Sequence, residues 1–144
     1  MHYIPKVTIQ MIREGSIKSE IKKIGSPSDA ANLLRGVMEG FDREHFIILA
    51  LDTKHQVNAI HTVSIGTLNA SLVHPREIFK AAILANAESI ILSHNHPSGD
   101  PAPSREDIEV TARLQKAGEI LGIDILDHII IGDGYYSFKE SGQL

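Results

Sequence analysis

The chain has 144 residues, of which 42% are hydrophobic, and this is enough apolar material for one compact domain with a core. It has no cysteine, which excludes disulfides and thiolate zinc sites and suits the reducing cytoplasm that we predict as its location. No apolar run approaches the ~20 residues that cross a bilayer and no signal peptide opens the chain, so we expect no membrane association. The net charge of −4 is uneven, because residues 1–72 carry 8 basic and 7 acidic side chains, whereas residues 73–144 carry 6 and 11.

The N-terminal part is predicted to form a strand and then a helix. Residues 7–12 alternate apolar and polar side chains, which is typical of a strand. Ser26 stands at a helix N-cap position, with Pro27 in the first turn and Asp29 at the capping-box position. Apolar residues then recur at helical spacing as far as Gly40, a stop signal, so we expect the helix to pack on the core.

A hairpin and a second helix follow. Residues 46–51 form a continuous apolar run, typical of a strand buried on both faces, and residues 56–63 alternate as its returning partner. Residues 66–73 are predicted to be a loop or a short strand. Pro75 then opens an amphipathic helix that we expect to end near Asn86.

The second half of the chain continues the alternation of strands and helices. The patterns predict a short buried strand over residues 89–93, a helix over residues 105–121 that stops at Gly122, a buried strand over residues 123–131 and a last strand from residue 135. Such alternation predicts an α/β fold in which one mixed sheet, as in a three-layer arrangement, is flanked by helices.

The loop before the third helix carries the chemistry of a metal site. His94 and His96 are two residues apart where a strand ends, so their side chains point to the same side. Prolines and a glycine then impose a stiff loop, after which Ser104 takes a helix N-cap position with Asp107 three residues on. Two imidazoles and a carboxylate are the ligands of a catalytic zinc ion, which keeps a further position for water.

These residues resemble a known signature. His-x-His followed by seven residues, Ser, two residues and Asp resembles the JAMM motif of MPN/JAB-domain metallopeptidases, and His-Asn-His-Pro-Ser-Gly-Asp resembles more narrowly the RadC family of bacterial proteins. Supporting stretches lie at residues 66–68, 74–79 and 126–132. The resemblance runs from about Asp42 to the C-terminus. We therefore predict a metal domain over residues 41–144 and an N-terminal strand-and-helix extension over residues 1–40, packed together as one unit.

The resemblance implies an MPN/JAB fold, related in layout to cytidine deaminases, and a zinc-dependent peptide or isopeptide hydrolase. It implies that His94, His96 and Asp107 hold zinc. Glu44, the glutamate that best fits the family's upstream position, would take the proton of the attacking water, although the spacing alone suits an ordinary exposed glutamate. Ser104 would stabilise an oxyanion or only cap its helix, and both interpretations stay open.

Two other polar positions have a structural interpretation. Asp127 and His128 lie in a predicted buried strand, where a hydrogen-bonded core pair is the favoured interpretation and contact with a metal ligand the alternative. Asp100 is expected to shape a turn, because Asp107 holds the helix-start position of the motif.

Other functions remain open at this stage. RadC-like proteins have a link to DNA repair, so a metal-dependent nuclease or DNA-processing protein is one alternative. The site lies in the acidic half of the chain, which argues against this alternative. RadC-like proteins also commonly have a DNA-binding helix-hairpin-helix region before the metal domain, whereas here only about forty residues precede the resemblance and they are predicted to form a strand and a helix. A non-catalytic binding module is another alternative, which the intact ligand set disfavours. A protein or peptide is the expected substrate; nucleic-acid binding and a homo-oligomeric state are left open.

Overall fold

The computed structural model describes residues 1–66 and 73–144, so most of the loop or short strand predicted over residues 66–73 lies outside the described residues. Helices and strands alternate along the described chain. Their bounds are α1 Pro27–Met38, β1 His45–Leu51, β2 Val57–Ile65, α2 Pro75–Leu84, β3 Ser89–Asn95, α3 Arg105–Leu121, β4 Asp124–Ile131 and β5 Tyr135–Ser137. Across both described ranges, none of the helices has the length and apolar character needed to span a membrane.

The described strands form one mixed sheet in the order β2-β1-β3-β4-β5. β3 and β4 are parallel, while β1 pairs antiparallel with both β2 and β3, and β5 pairs antiparallel with β4. The predicted α/β class and the β1–β2 hairpin are confirmed. The parallel pair places the ends of β3 and β4 at the same edge of the sheet, where the loop to α3 begins.

Both faces of the sheet are covered, which explains the continuous apolar run of β1. Ile47, Leu49 and Leu51 pack in the cluster formed with α1, whereas Phe46 and Ile48 pack in the cluster formed with α2 and α3. Successive side chains of a strand point to opposite faces, so each face of β1 needs its own apolar set. The predicted helix boundaries agree closely with the structure because each helix has a clear start signal.

The strand predicted over residues 7–12 is wrong. Residues 1–19 have no regular secondary structure and their side chains are exposed, with Val7 77% and Ile9 72% accessible. The chain meets the sheet at Lys22, whose backbone oxygen accepts the amide of Val57, and Lys23 forms an isolated antiparallel bridge with Gln56. Alternation alone does not make a strand, because the backbone also needs a neighbouring strand for its hydrogen bonds.

A close backbone contact holds the loop between β3 and α3 against the end of β4. The amide of His96 donates to Ile131 O at 2.8 Å, and the amide of Asp133 donates to Gly99 O at 2.7 Å. Gly132 lies so close to this loop that a Cβ atom there would overlap the carbonyl oxygen of Gly99 and lie 2.9 Å from its carbonyl carbon. Glycine at this position therefore allows the loop to dock.

We expect Gly132→Ala to destabilise the protein by about 1–3 kcal/mol, because the added methyl group pushes the loop from the end of β4. Urea unfolding followed by circular dichroism measures the loss. Gly134→Ala is the matched control, since a Cβ there has no atom within 4 Å and its φ is not positive. Equal stability of the two variants would contradict this account of the loop.

Candidate metal centre

His94 lies inside the sheet rather than beyond it. β3 continues two residues past its predicted end at Ser93, so His94 is paired with Phe46 of β1 and with Ile130 of β4. Its side chain is fully buried. His96 follows the strand, and its Nε2 lies 3.0 Å from Nε2 of His94. The two imidazoles therefore face each other, as their spacing predicts.

Asp107 brings a carboxylate to the same point from the first turn of α3. Its Oδ1 lies 3.2 Å from Nε2 of His94, and its Oδ2 lies 3.3 Å from Nε2 of His96. The capping box fixes this position, because Ser104 Oγ accepts the Asp107 amide at 3.1 Å and the Ser104 amide donates to Asp107 Oδ2 at 2.8 Å. One ligand atom from each of the three side chains lies within 4.8 Å of the others, so the group could hold a metal ion.

The loop orients the ring of His96. Its Nδ1 lies 2.8 Å from the backbone oxygen of Asp100, and a carbonyl can only accept, so Nδ1 carries the hydrogen. In the neutral ring Nε2 is then an unprotonated acceptor that faces Asp107. The side chain of Asp100 accepts the amide of Ala102 at 3.0 Å, which is the turn role expected of it.

The electrostatics of the cluster favour a cation. Burial opposes ionisation of Asp107, but the hydrogen bonds that His94 and His96 donate when a proton sits on Nε2 outweigh it and hold the pKa of Asp107 well below its usual range. The hydrogen bond with Asp107 raises the pKa of His96, and the charge of Glu44 adds to this effect. A buried carboxylate that faces two imidazole nitrogens needs positive charge between them, from a proton or a metal ion. Two nitrogens and one carboxylate oxygen fit zinc.

Glu44 lies beside this cluster, immediately before β1, and is half-buried. Its backbone oxygen accepts the amide of Gly66 at 2.8 Å. It lines a cleft of about 410 Å³ together with Asp42, Arg43, Gly66 and Pro97. Because Pro97 directly follows His96, the cleft adjoins the candidate metal centre, while the catalytic role of Glu44 stays a prediction.

A second cleft, of about 550 Å³, is also lined by Pro97 and reaches His96. Arg35 of α1 borders it and donates to Gly132 O and Gly134 O, both at 3.0 Å. The two clefts share Pro97, and the second reaches the candidate metal centre at His96.

Asp127 and His128 are both buried and hydrogen-bonded to each other, as the favoured interpretation of a core pair predicts, but the bond does not join their two side chains. Asp127 accepts the backbone amide of His128 at 2.7 Å and the hydroxyl of Ser137 at 2.6 Å, while the His128 ring points the other way. His128 Nε2 lies 2.8 Å from Nδ1 of His94, so contact with a candidate ligand is what the structure shows. Complete burial lowers the pKa of His128 well below its usual value, and the ring is neutral.

Thr111 is the residue that the sequence reasoning missed. Its hydroxyl lies 2.6 Å from Nδ1 of His128 and donates to the backbone oxygen of Asp107 at 2.7 Å. The spacing carried a signal, because residues four apart in a helix share a face, and Asp107 and Thr111 are such a pair.

Comparison with known proteins gives a family match and close relatives. Residues 24–143 match the family model described as RadC-like JAB domain. A UPF0758 protein of Rubrobacter xylanophilus is 57% identical over 121 residues, which cover 84% of this chain and 53% of that protein. UPF0758 proteins of Caldanaerobacter subterraneus (58% over 128 residues; 88% and 55% covered) and Bacillus licheniformis (60% over 119; 82% and 53%) are similar.

Two facts about extent follow from these matches. The chain spans about half the length of the curated relatives it matches. The family match begins at residue 24, ahead of the Asp42 start that the motifs suggest, so it includes α1. The division into residues 1–40 and 41–144 stays a prediction.

We expect the metal-free protein to lose stability as the pH rises above about 6.5, the ordinary pKa of histidine, because the pKa of His96 is raised by its bond to Asp107. The folded state binds this proton more tightly than the unfolded chain, in which the pKa of histidine is about 6.5. The stabilisation is therefore complete below that value and is lost through the higher pKa of the folded state. Thermal unfolding after chelator treatment measures it.

Two variants separate His96 from the other histidines. His96→Gln should flatten the dependence on pH, whereas His61→Gln, at an exposed position of β2, should keep it. A slope that survives in His96→Gln would show that another group is responsible.

Proposed function

This chain belongs to the RadC-like JAB domain family, and from that premise we propose that it is a zinc-dependent hydrolase of peptide or isopeptide bonds. JAB-domain proteins can be metalloproteases. The observation that carries the proposal is the convergence of His94, His96 and Asp107, with Glu44 at the adjoining cleft. Together they supply three ligands and a carboxylate beside them.

Each residue has a role that its position supports. His94 and His96 would bind zinc through Nε2, and Asp107 through its carboxylate. Bound zinc would supply a Lewis acid and lower the pKa of a water molecule to about 7. Glu44 would take a proton from the attacking water and pass it to the leaving amine.

Ser104 is suited to two roles at once. Its oxygen accepts the Asp107 amide in the capping box, which leaves the hydroxyl hydrogen to point elsewhere. We propose that this hydrogen bonds the oxyanion that forms when water attacks the scissile carbonyl. Its two hydrogen bonds with the proposed ligand Asp107 support this role.

The charge of the surrounding chain favours a peptide over a nucleic acid. Residues 73–144 carry 6 basic and 11 acidic side chains, whereas a nucleic-acid site needs clustered lysine and arginine to neutralise phosphates. The two clefts that share Pro97 lie next to His96, which supports binding of an extended substrate beside the proposed metal site.

We expect Glu44→Gln to keep zinc and to lose hydrolysis, because the amide has the size of the carboxylate but cannot accept the proton. A general base typically contributes 10²–10⁴-fold, so turnover should fall by about that factor. Metal content by atomic emission and cleavage of a peptide library measure the two effects separately.

Two control variants test this prediction, one that should change neither readout and one that should lose zinc. Glu88→Gln changes an exposed acid outside either cleft and should behave as the unchanged protein. Asp107→Asn should lower the zinc content. Full turnover in Glu44→Gln would refute the base assignment, and degradation of DNA but not of peptides by the zinc-loaded protein would replace the peptidase proposal with a nuclease.

We expect Ser104→Ala to lower turnover by about 10²–10³-fold if its hydroxyl stabilises the oxyanion. The lost cap should also cost about 1 kcal/mol of stability. Ser26→Ala is the matched control, because Ser26 caps α1 by accepting the Asp29 amide at 3.3 Å. Steady-state kinetics and urea unfolding of both variants separate the roles: similar stability losses with unchanged turnover in both would leave Ser104 a cap alone.

A further inference from the structure

A chain of buried hydrogen bonds runs behind the candidate metal centre and joins two of the proposed ligands, His94 and Asp107. Nδ1 of His94 lies 2.8 Å from Nε2 of His128, whose Nδ1 lies 2.6 Å from Oγ1 of Thr111. The Thr111 hydroxyl in turn lies 2.7 Å from the backbone oxygen of Asp107. The chain links β3, β4 and α3, and all four residues are buried.

Only one assignment of donors and acceptors is consistent along this chain of hydrogen bonds. A carbonyl oxygen cannot donate, and two oxygens 2.7 Å apart need a hydrogen between them, so the Thr111 hydroxyl donates to Asp107 O. Oγ1 must then accept from Nδ1 of His128, which leaves His128 Nε2 without a hydrogen. His94 therefore carries its hydrogen on Nδ1.

The opposite assignment of donors and acceptors is excluded by the 2.7 Å distance between Thr111 Oγ1 and Asp107 O. If Thr111 donated to His128, each ring would change tautomer, and His94 would carry its hydrogen on Nε2, towards Asp107. The Thr111 and Asp107 oxygens would then face each other at 2.7 Å without a hydrogen bond. The placement of the Thr111 hydroxyl thus decides which nitrogen of His94 is free.

We propose that Thr111 and His128 are positioning residues, which hold His94 in the tautomer whose unprotonated Nε2 faces the metal centre. The inference rests on the proposed function only in taking His94 as a metal ligand. Neither residue touches the metal or the substrate. A metal ion binds the lone pair of His94 Nε2, which is not available in the tautomer that has a hydrogen on Nε2. The two positioning residues therefore remove the free-energy cost of a tautomer change when the ion binds.

The packing around the rings prevents a simple alternative arrangement. His128 stacks on Phe138 with a centroid distance of 4.9 Å and an interplanar angle of 14°, and it meets Phe46 edge-on at 5.6 Å. His94 lies parallel to Phe46 at 6.0 Å. Both rings therefore have aromatic neighbours that hold their planes, and their complete burial keeps bulk solvent from replacing a hydrogen bond that is lost.

We expect Thr111→Val to weaken zinc binding by about 10–100-fold, the usual effect of removing a partner behind a metal-ligating histidine. Valine keeps the shape of threonine but not the hydroxyl, so Nδ1 of His128 loses its acceptor and the opposite tautomers become favoured. Thr111→Ser keeps the hydroxyl and should bind zinc as the unchanged protein does. Competition with a chromogenic chelator measures the zinc affinities.

The tautomer itself is measured in the unchanged protein, so the test does not depend on a variant that folds. In long-range ¹H–¹⁵N spectra of metal-free protein at about pH 8.5, above the unperturbed histidine pKa, His94 should show a hydrogen on Nδ1 and none on Nε2. Thr111→Val should shift it towards Nε2–H, and Thr111→Ser should not. His94→Gln assigns the signals.

The outcomes separate this inference from the proposed function. An Nε2–H tautomer in the unchanged protein, zinc affinity unaltered by Thr111→Val, or a serine variant as weak as the valine variant would each overturn the positioning role. None of these readouts uses peptide cleavage. A protein that binds zinc as described but cleaves no peptide would refute the hydrolase proposal and leave the positioning role standing.

Discussion

The carboxylate of Asp107 is the group on which the whole centre depends. It accepts the amide of Ser104 and so belongs to the start of α3, and it faces His94 and His96 at 3.2 and 3.3 Å. A buried carboxylate without partners would cost several kcal/mol. The same side chain therefore starts the helix, joins it to the end of β3 and supplies the negative charge that a cation would balance.

Metal binding at this site would be coupled to folding. α3 packs its buried face on the sheet, and the loop after β3 docks on β4 through Gly99 and Gly132, so the ligands are brought together only in the folded state. An ion that binds the folded state alone adds stability that grows with its concentration, by about 2.7 kcal/mol at one hundred times its dissociation constant. The hydrophobic core thus positions the ligands, and the ion would in turn stabilise the core's arrangement.

Local signals predicted the parts of the structure that local interactions determine. The capping residues Ser26 and Ser104 gave the starts of α1 and α3, and the motif spacing gave the convergence of His94, His96 and Asp107. The strand over residues 7–12 failed because pairing depends on a partner that the pattern does not contain.

The sequence did not predict the direction of the His128 ring for a different reason. The second half of β4 is buried on both faces, and a continuous apolar run does not say which face a polar residue takes.

The burial of the three proposed ligands indicates the side from which solvent reaches the centre. The side chains of His94 and Asp107 are 0% and 4% exposed, whereas that of His96 is 15% exposed. Within the described residues, solvent therefore approaches from the side of His96 and Pro97, where the two clefts meet. Glu44 lines one of these clefts together with Pro97. The same burial that hides His94 and its hydrogen-bond chain from solvent places the proposed base on the accessible side.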